Sequence, residues 1–216
     1  PDLFSPLIRV QTDENGRFKF SSVKAGKVGV FAFAPGKSFS GVSPSVGFDD
    51  EVGGIMIRMS SPVSVEGKVV DPAGNPISGA RVERIALLAE DKVAIPFDKL
   101  GELGIDAPTT DASGRFVVNN VPAGKRLALK IVHPSYAQVA VDDVDPQGSI
   151  KIVMEPGVFV RGRVYVRGTT TGVANVNVLF RSDVPPYDTV LARTNLKGEF
   201  AVRLRPAVYA SRVESE

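Results

Sequence analysis

One phrase is written three times along this chain, and a repeated phrase implies a repeated structural unit. Its fullest copy is Thr110-Asp111-Ala112-Ser113-Gly114-Arg115-Phe116-Val117-Val118, followed by Val121-Pro122-Ala123-Gly124. An earlier copy is Thr12-Asp13-Glu14-Asn15-Gly16-Arg17-Phe18-Lys19-Phe20, followed by Val23-Lys24-Ala25-Gly26. A worn copy is Thr194-Asn195-Leu196-Lys197-Gly198-Glu199-Phe200-Ala201-Val202, followed by Arg205-Pro206-Ala207. Asp at the first position of a turn and Gly at the fourth suit a type I turn. A left-handed Gly after such a turn makes the bulge that lets two twisted strands pair. Phe18 and Phe20, Phe116 and Val118, and Phe200 and Val202 then point one way while Lys19, Val117 and Ala201 point the other. That period of two marks a strand with one buried face.

Spacing sets the size of the unit. Thr12 and Thr110 are 98 residues apart and Thr110 and Thr194 are 84 apart. Solenoid repeats run roughly 20–50 residues, so these periods suit sandwich domains in a row. With 216 residues, 21 Gly, 16 Pro and few helix-periodic runs, the chain reads as all-β: tandem antiparallel β-sandwich domains. A formal net charge of +2 is too small to imply nucleic acid or an anionic membrane as partner. No apolar run approaches the roughly 20 residues that a spanning helix needs. Cysteine is absent, which removes thiol catalysis and cysteine metal sites. The chain opens at Pro1 and is expected to be a mature or excised fragment.

Three segments follow. Residues 1–62 hold a hairpin (Leu7 to Phe20), a strand (Lys27 to Phe33), a Gly/Ser/Pro-rich loop (Pro35 to Gly54) and a closing strand (Ile55 to Met59). They read as the C-terminal part of a module. Residues 63–156 read as a complete unit of about seven short strands: Val65, Gly67 and Val69 face inward with Glu66 and Lys68 opposite. A turn, Asp71-Pro72-Ala73-Gly74-Asn75-Pro76, leads to a second strand at Arg81-Val82. Strands at Leu127 to Val132, Ala137 to Val141 and Ser149 to Met154 come after the repeated hairpin. Residues 157–216 restart the plan, with Val160-Arg161-Gly162-Arg163-Val164 parallel to Val65-Glu66-Gly67-Lys68-Val69 and Gly172 to Val178 parallel to Pro76 to Val82. This third module stops after its hairpin and one more strand (Ala207 to Val213) and reads as truncated or incomplete.

The text Val65-x-Gly67-x-Val69-x-Asp71-x-x-Gly74-x-Pro76-Ile77-x-Gly79-Ala80-x-Val82, then Thr110-Asp111-x-x-Gly114-x-Phe116 and Val121-Pro122-x-Gly124, resembles the carboxypeptidase regulatory-like domain family. The resemblance covers nearly all of the middle unit and parts of the outer two. It implies a transthyretin-like (prealbumin-like, Ig-like) sandwich and an accessory, non-catalytic role in a secreted or surface protein. Fold by itself does not specify activity. The third copy departs from the pattern: Gly168 to Gly172 replaces the Asp-Pro-x-Gly-Asn-Pro turn, and Val208 stands where Gly124 would.

Candidate chemistry is sparse. His133 is the sole histidine, follows a strand, and reads as a turn residue. It cannot supply the several histidines that transthyretin-like hydrolases and dioxygenases use, nor a His-Glu-x-x-His zinc site. Asp142, Asp143 and Asp145 offer alternate carboxylates to calcium. Counting twelve from Asp143 puts Met154 where the bidentate Glu belongs, and a solvated turn is the plainer reading. An intramolecular Lys–Asn crosslink fits poorly, because alternation places Lys68 outside and the strand carrying Lys151 has no Asn. Arg161, Arg163 and Arg167 share a strand face, and formal charges of about +1, −3 and +4 on the three segments make the basicity local. The alternation shows no aromatic residues interleaved with these arginines, and charge on an exposed strand serves solubility. Tyr136, Tyr165 and Tyr187 are candidate sugar platforms or half-buried strand residues.

The stretch Ala86 to Pro108 is an insertion: Val82 to Thr110 spans 28 residues where Val178 to Thr194 spans 16. Its apolar residues include Leu88, Val93, Ile95, Phe97 and Leu100. They read as a short helix capping the core or, alternatively, as a partner-binding loop. The functional expectation is a set of non-catalytic modules forming a spacer or adhesive stalk of a larger extracellular, surface or periplasmic protein. The alternatives are an accessory domain of a peptidase or outer-membrane receptor, and a carbohydrate-binding module. No cofactor is implied. Partners would be a protein or glycan and flanking domains of the same polypeptide, without nucleic acid and without a membrane-spanning segment.

Overall fold

The computed structural model describes residues 8–87, 93–96 (backbone only), 106–184 and 188–214. Among them there is no helix, and the chain is all-β. In chain order the strands are β1 (Gly26–Lys27), β2 (Val30–Ala32), β3 (Ser40–Val42), β4 (Ser45–Val46), β5 (Pro62–Val70), β6 (Arg81–Leu87), β7 (Val93–Pro96) and β8 (Arg115–Pro122). They continue as β9 (Leu127–His133), β10 (Tyr136–Val144), β11 (Ser149–Val153), β12 (Val158–Arg163), β13 (Asn177–Ser182), β14 (Thr189–Arg193), β15 (Glu199–Leu204) and β16 (Tyr209–Glu214).

Residues 63–156 build two facing sheets. One has the order β11-β5-β8 and the other β10-β9-β6-β7. All pairings are antiparallel except β5 with β11, which is parallel. Alternation in the sequence decides what lies between the sheets: Val65, Val69, Phe116, Val118, Ile85, Leu129, Ile131 and Ile152 are all at most 3% exposed and share one cluster. Gly67 stands opposite Phe116 in the ladder, and a side chain at Gly67 would run into the Phe116 ring. The glycine is thus the hole that the aromatic fills.

A second, smaller cluster holds Val178, Phe180, Val190, Ala192 and Leu204, with Val160, Val164, Phe200 and Val202 half-buried around it. Its sheets are β12-β15 and β14-β13-β16. Gly162 faces Phe200 across β12 and β15 as Gly67 faces Phe116.

The repeated phrase makes the same turn three times. The carboxylate of Asp13 accepts the N–H of Asn15 (2.9 Å) and of Arg17 (2.8 Å). Asp111 does so for Ser113 (2.8 Å) and Arg115 (2.9 Å), and the Asn195 amide oxygen does so for Lys197 (2.8 Å) and Glu199 (3.0 Å). Asp71 makes a fourth such turn, accepting from Asn75 at 2.8 Å. Two of the three copies go further. The buried Thr110 hydroxyl donates to Ile77 C=O (2.7 Å) and accepts from Ala80 N–H (2.8 Å). Thr194 donates to Val173 C=O (2.8 Å) and accepts from Val176 N–H (3.0 Å). Gly114 and Gly198 take positive φ (+77° each) beneath the carbonyls of Val69 and Val164, where a Cβ would sit 2.5 Å and 2.6 Å from oxygen.

Residues 8–62 match expectation in part: β1 and β2 fall at the expected strand Lys27 to Phe33, while β3 and β4 form within the expected loop. The Asp13 turn forms, but the stretches on either side of it, Ile8 to Val10 and Phe18 to Phe20, enter no strand, and Ile55 to Met59 is irregular as well. Thr12 is exposed and Gly16 has nothing within 4 Å of an added Cβ. Phe18 and Phe20 pack edge-on against each other, 6.0 Å between ring centres. The segment does supply Phe39, 1% exposed, to the cluster of residues 63–156, with Phe31 and Phe33 packed beside it. Phe39 N–H donates to Asn120 C=O at 2.7 Å.

Thr110→Val is expected to destabilise the fold by about 1–3 kcal/mol, because it leaves the Ile77 carbonyl and Ala80 amide unpaired in a dry site. Thr110→Ser keeps both bonds and is expected to recover most of that loss. Urea midpoints at constant m-value check both.

Candidate interaction surface

The outer face of β12 and β15 carries the most distinctive exposed chemistry on the described surface. Inward positions Val160, Gly162 and Val164 look to the core, so Phe159, Arg161, Arg163 and Tyr165 look out. Register places Arg203 of β15 opposite Phe159. The Arg161 guanidinium lies 4.6 Å and that of Arg203 5.1 Å from the Phe159 ring centre, and Arg163 lies 5.1 Å from that of Tyr165. Two rings thus hold three cations over one sheet face, each contact contributing about 0.5–1 kcal/mol at an exposed site. Two guanidiniums are also tied to backbone: Arg163 Nε donates to Lys197 C=O (2.7 Å) and Arg203 Nη1 to Gly157 C=O (3.0 Å). Phe159 and Tyr165 remain 46% and 51% exposed.

This corrects the expectation that no aromatics interleave with these arginines. Phe159 and Tyr165 sit one strand step outside the arginine pair, and the period of two that selects Arg161 and Arg163 selects them as well. Arg167 does not join the row. It falls in the turn closed by Thr169 N–H to Val166 C=O (3.0 Å).

The other candidates are placed as follows. Asp143 and Asp145 converge on Arg126: its Nε donates to Asp143 (2.6 Å), its Nη1 to Asp145 (3.2 Å), and its Nη2 to the Asp143 carbonyl. Their carboxylates thus face a guanidinium fork, while Asp145 also caps Gln147 N–H (2.9 Å). Asp142 takes no part in that fork. Among the described residues no group of three or more His, Cys, Asp or Glu is placed to hold a metal. His133 Nδ1 accepts Ser135 N–H at 3.0 Å, and the ring packs edge-on to Tyr136. It borders an open depression with Gly79, Arg81, Thr109 and Val132. Tyr136 is half-buried against the larger core, and Tyr187 lies outside the described residues.

Of the insertion, Leu88, Phe97 and Leu100 lie outside the described residues. Val93 and Ile95 belong to β7, which pairs with β6 through Leu87↔Val93 and Ile85↔Ile95. A strand stands at 93–96, and residues 88–92 and 97–105 of the stretch expected to hold a short helix lie outside the described residues. The apolar spacing of a four-residue run suits either, and pairing to β6 decides it.

The described residues bury few polar side chains: Ser38, Ser40, Thr110, Ser182 and Thr194, all hydroxyls. Thr110, Thr194 and Ser182 are engaged with backbone. At the open end of the smaller cluster Arg205 pairs with Asp188 (3.2 Å) and donates to Ser182 Oγ and Val184 C=O (2.7 Å each). Burial pushes the neighbouring Tyr209 phenol up from its ordinary value. No described helix is long and apolar enough to cross a membrane.

No family model matches the chain, and no curated protein matches it. Distant likenesses to solved structures exist. A streptococcal ancillary pilin is 15% identical over 90% of this chain and 72% of its own, with a TM-score of 0.30. The Bacillus anthracis TIE protein is 13% identical over 87% of this chain, which spans 36% of that protein, at 0.27. A DUF3823 family protein from Parabacteroides merdae is 12% identical over 70% of this chain and 80% of its own, at 0.24. Scores this low carry no argument, and function is read from the residues themselves.

The Arg126 hydrogen bond is the first cause holding the Asp143 carboxyl below its ordinary 3.8. A folded value below the unfolded one means the contact is intact above the ordinary carboxylate range and is lost as pH falls through the lowered value. Carboxyl carbon NMR is expected to show Asp143 titrating below 3.8, Arg126→Ala returning it upward, and millimolar calcium leaving it unmoved.

Proposed function

We propose that this chain carries non-catalytic β-sandwich modules, a partial one at 1–62, a complete one at 63–156 and an incomplete one at 157–216, that space and present contact surfaces in a larger secreted or surface protein. The resemblance of residues 65–124 to the carboxypeptidase regulatory-like family supports an accessory module, and so does the use of buried hydroxyls to tie backbone.

One observation carries the spacer reading, the tight junction between the two clusters. Met154, fully buried, ends the larger core. The next carbonyl, of Glu155, accepts Ala137 N–H at 2.9 Å. Gly157 is then wedged so closely that a Cβ would lie 2.9 Å from Arg203 Cβ and 3.0 Å from Ala137 N. Gln138 Nε2 reaches across to Thr189 C=O at 3.1 Å. Short links clamped on both sides favour a stiff connection over free swinging. A sugar-binding reading draws on exposed Phe159 and Tyr165, but Arg161 and Arg203 already lie against the Phe159 ring where a sugar face would stack.

The chain has no native cysteine, so paired spin labels are clean. Labels at Lys68→Cys and Arg181→Cys on the full chain are expected to give one narrow distance distribution, and Gly157→Val is expected to broaden it. A broad distribution in the parent chain would overturn the stiff-spacer reading.

A further inference from the structure

We propose that the outer face of β12 and β15 binds an acidic polysaccharide, whose oxyanions are taken by the guanidiniums of Arg161, Arg163 and Arg203. The inference deepens the reading of modules that present contact surfaces and rests on it, but it does not depend on a stiff junction.

The two units share a plan, and their outer faces differ where the plan leaves freedom. Val65, Gly67 and Val69 of β5 match Val160, Gly162 and Val164, and Phe116 of β8 matches Phe200 of β15. Outward positions can therefore be compared one by one. Where the larger unit has the Ser64 hydroxyl donating to Asn119 Oδ1 at 2.9 Å, the smaller has Phe159 opposite Arg203. Where the larger has exposed Glu66 and Lys68, the smaller has exposed Arg161 and Arg163. A neutral pair and one charge of each sign serve the first face well enough. The sandwich itself does not call for three arginines set against two rings.

These cations are held in place and left unbalanced. Arg161 and Arg203 both lie against the Phe159 ring, at 4.6 Å and 5.1 Å from its centre, so the two charges stand within about 10 Å of each other, the screening length at 0.1 M salt, and repel. Among the described residues none of the three guanidiniums forms an ion pair with a carboxylate. Glu199 stands opposite Arg163 in the register, but its carboxylate accepts the Asn195 side-chain amide at 3.0 Å. A bound oxyanion would relieve that repulsion, and a guanidinium fork matches an oxyanion with two parallel bonds. The bonds from Arg163 to Lys197 C=O (2.7 Å) and from Arg203 to Gly157 C=O (3.0 Å) hold two of the three side chains beforehand, which lowers the entropy lost on binding.

A polysaccharide is favoured by what a face of this kind can offer. Peptides are held largely through backbone pairing at an edge, a groove for a helix or an aromatic slot, whereas a sheet face presents side chains alone. Base stacking on Phe159 is blocked by the guanidiniums already set against it, and so is stacking of a neutral sugar. Recognition must come from charge repeated along the ligand. Arg161 and Arg163 are two residues apart on one strand, about 7 Å along it, and Arg203 adds a third cation from β15. A chain of acidic sugars carries such repeated oxyanions without needing backbone partners.

The test titrates the full chain by calorimetry with two octasaccharides, one of heparin (sulfate) and one of polygalacturonate (carboxylate), and reads the site from arginine Nε–H NMR resonances. At least one is expected to bind saturably and to shift Arg161, Arg163 and Arg203, and the one that binds identifies the oxyanion. Raising salt from about 0.1 M to about 0.4 M is expected to weaken binding at least about threefold. Phe159→Ser with Arg203→Asn installs the pair that the larger unit already uses and is expected to weaken binding at least about tenfold. Arg161→Lys with Arg163→Lys keeps the charge but loses the forks, and is expected to weaken it at least about threefold. Lys68→Gln with Lys151→Gln is expected to change nothing. No saturable binding of either octasaccharide, unchanged affinity in the arginine variants, or equal affinity for octaglutamate or a single-stranded oligonucleotide of equal charge would overturn the proposal. A narrow spin-label distance without polysaccharide binding would remove this inference and leave the spacer standing.

Discussion

The Thr110 hydroxyl sits in a dry seam between the Ile77 carbonyl and the Ala80 amide, and the Asp111 carboxylate beside it gathers the amides of the next turn. Together they pin the turn before β8 to the turn that leads into β6. Those two strands belong to opposite sheets of the sandwich. A local turn is thereby converted into a fixed relation between layers, and Gly114 fits under the Val69 carbonyl only because that relation holds. Thr194, Asn195 and Gly198 repeat the arrangement with Asn in place of Asp. What the lock requires is a short acceptor, not a charge. Local turn, cross-layer hydroxyl and the Gly–Phe pair agree with one another, which is the consistency that makes a sequence specify one fold.

The same parts explain how far the residues alone could be read. Strands of 63–156 were legible because Val65, Gly67 and Val69, or Phe116 and Val118, alternate cleanly and pack as alternation demands. The Asp13 copy was legible as a turn but misleading as a hairpin. Its turn bonds are local, whereas a strand needs a neighbour, and among the described residues Thr12 is exposed and shows no bonds like those of Thr110 to Ile77 and Ala80. Phe39 was hidden for the opposite reason: it lies in a Gly/Ser-rich stretch without periodicity, and its burial depends on the Asn120 carbonyl of a distant strand. Insertion residues Val93 and Ile95 carried no decisive period, so pairing with β6 alone settles their conformation. The Phe159–Arg161–Arg163–Tyr165 row was present in the spacing, but its meaning depends on rings and guanidiniums meeting at 4.6–5.1 Å.

The two units differ in how far their cores are covered. In the larger unit β11 lies along β5, and Met154 is fully buried. Among the described residues of the smaller unit β12 pairs with β15 alone, and Val160 and Val164 are half-buried. At the junction the Glu155 carbonyl accepts Ala137 N–H, and Gly157 packs against Ala137 and Arg203.

Amide hydrogen exchange tests the claim that one lock is built twice. The account predicts that Ala80, Thr110, Val176 and Thr194 open only with global unfolding of their own units, while Gly16 and Arg17, which have the turn without the threonine seam, exchange far faster. Val176 and Thr194 exchanging as fast as Gly16 and Arg17 would contradict it.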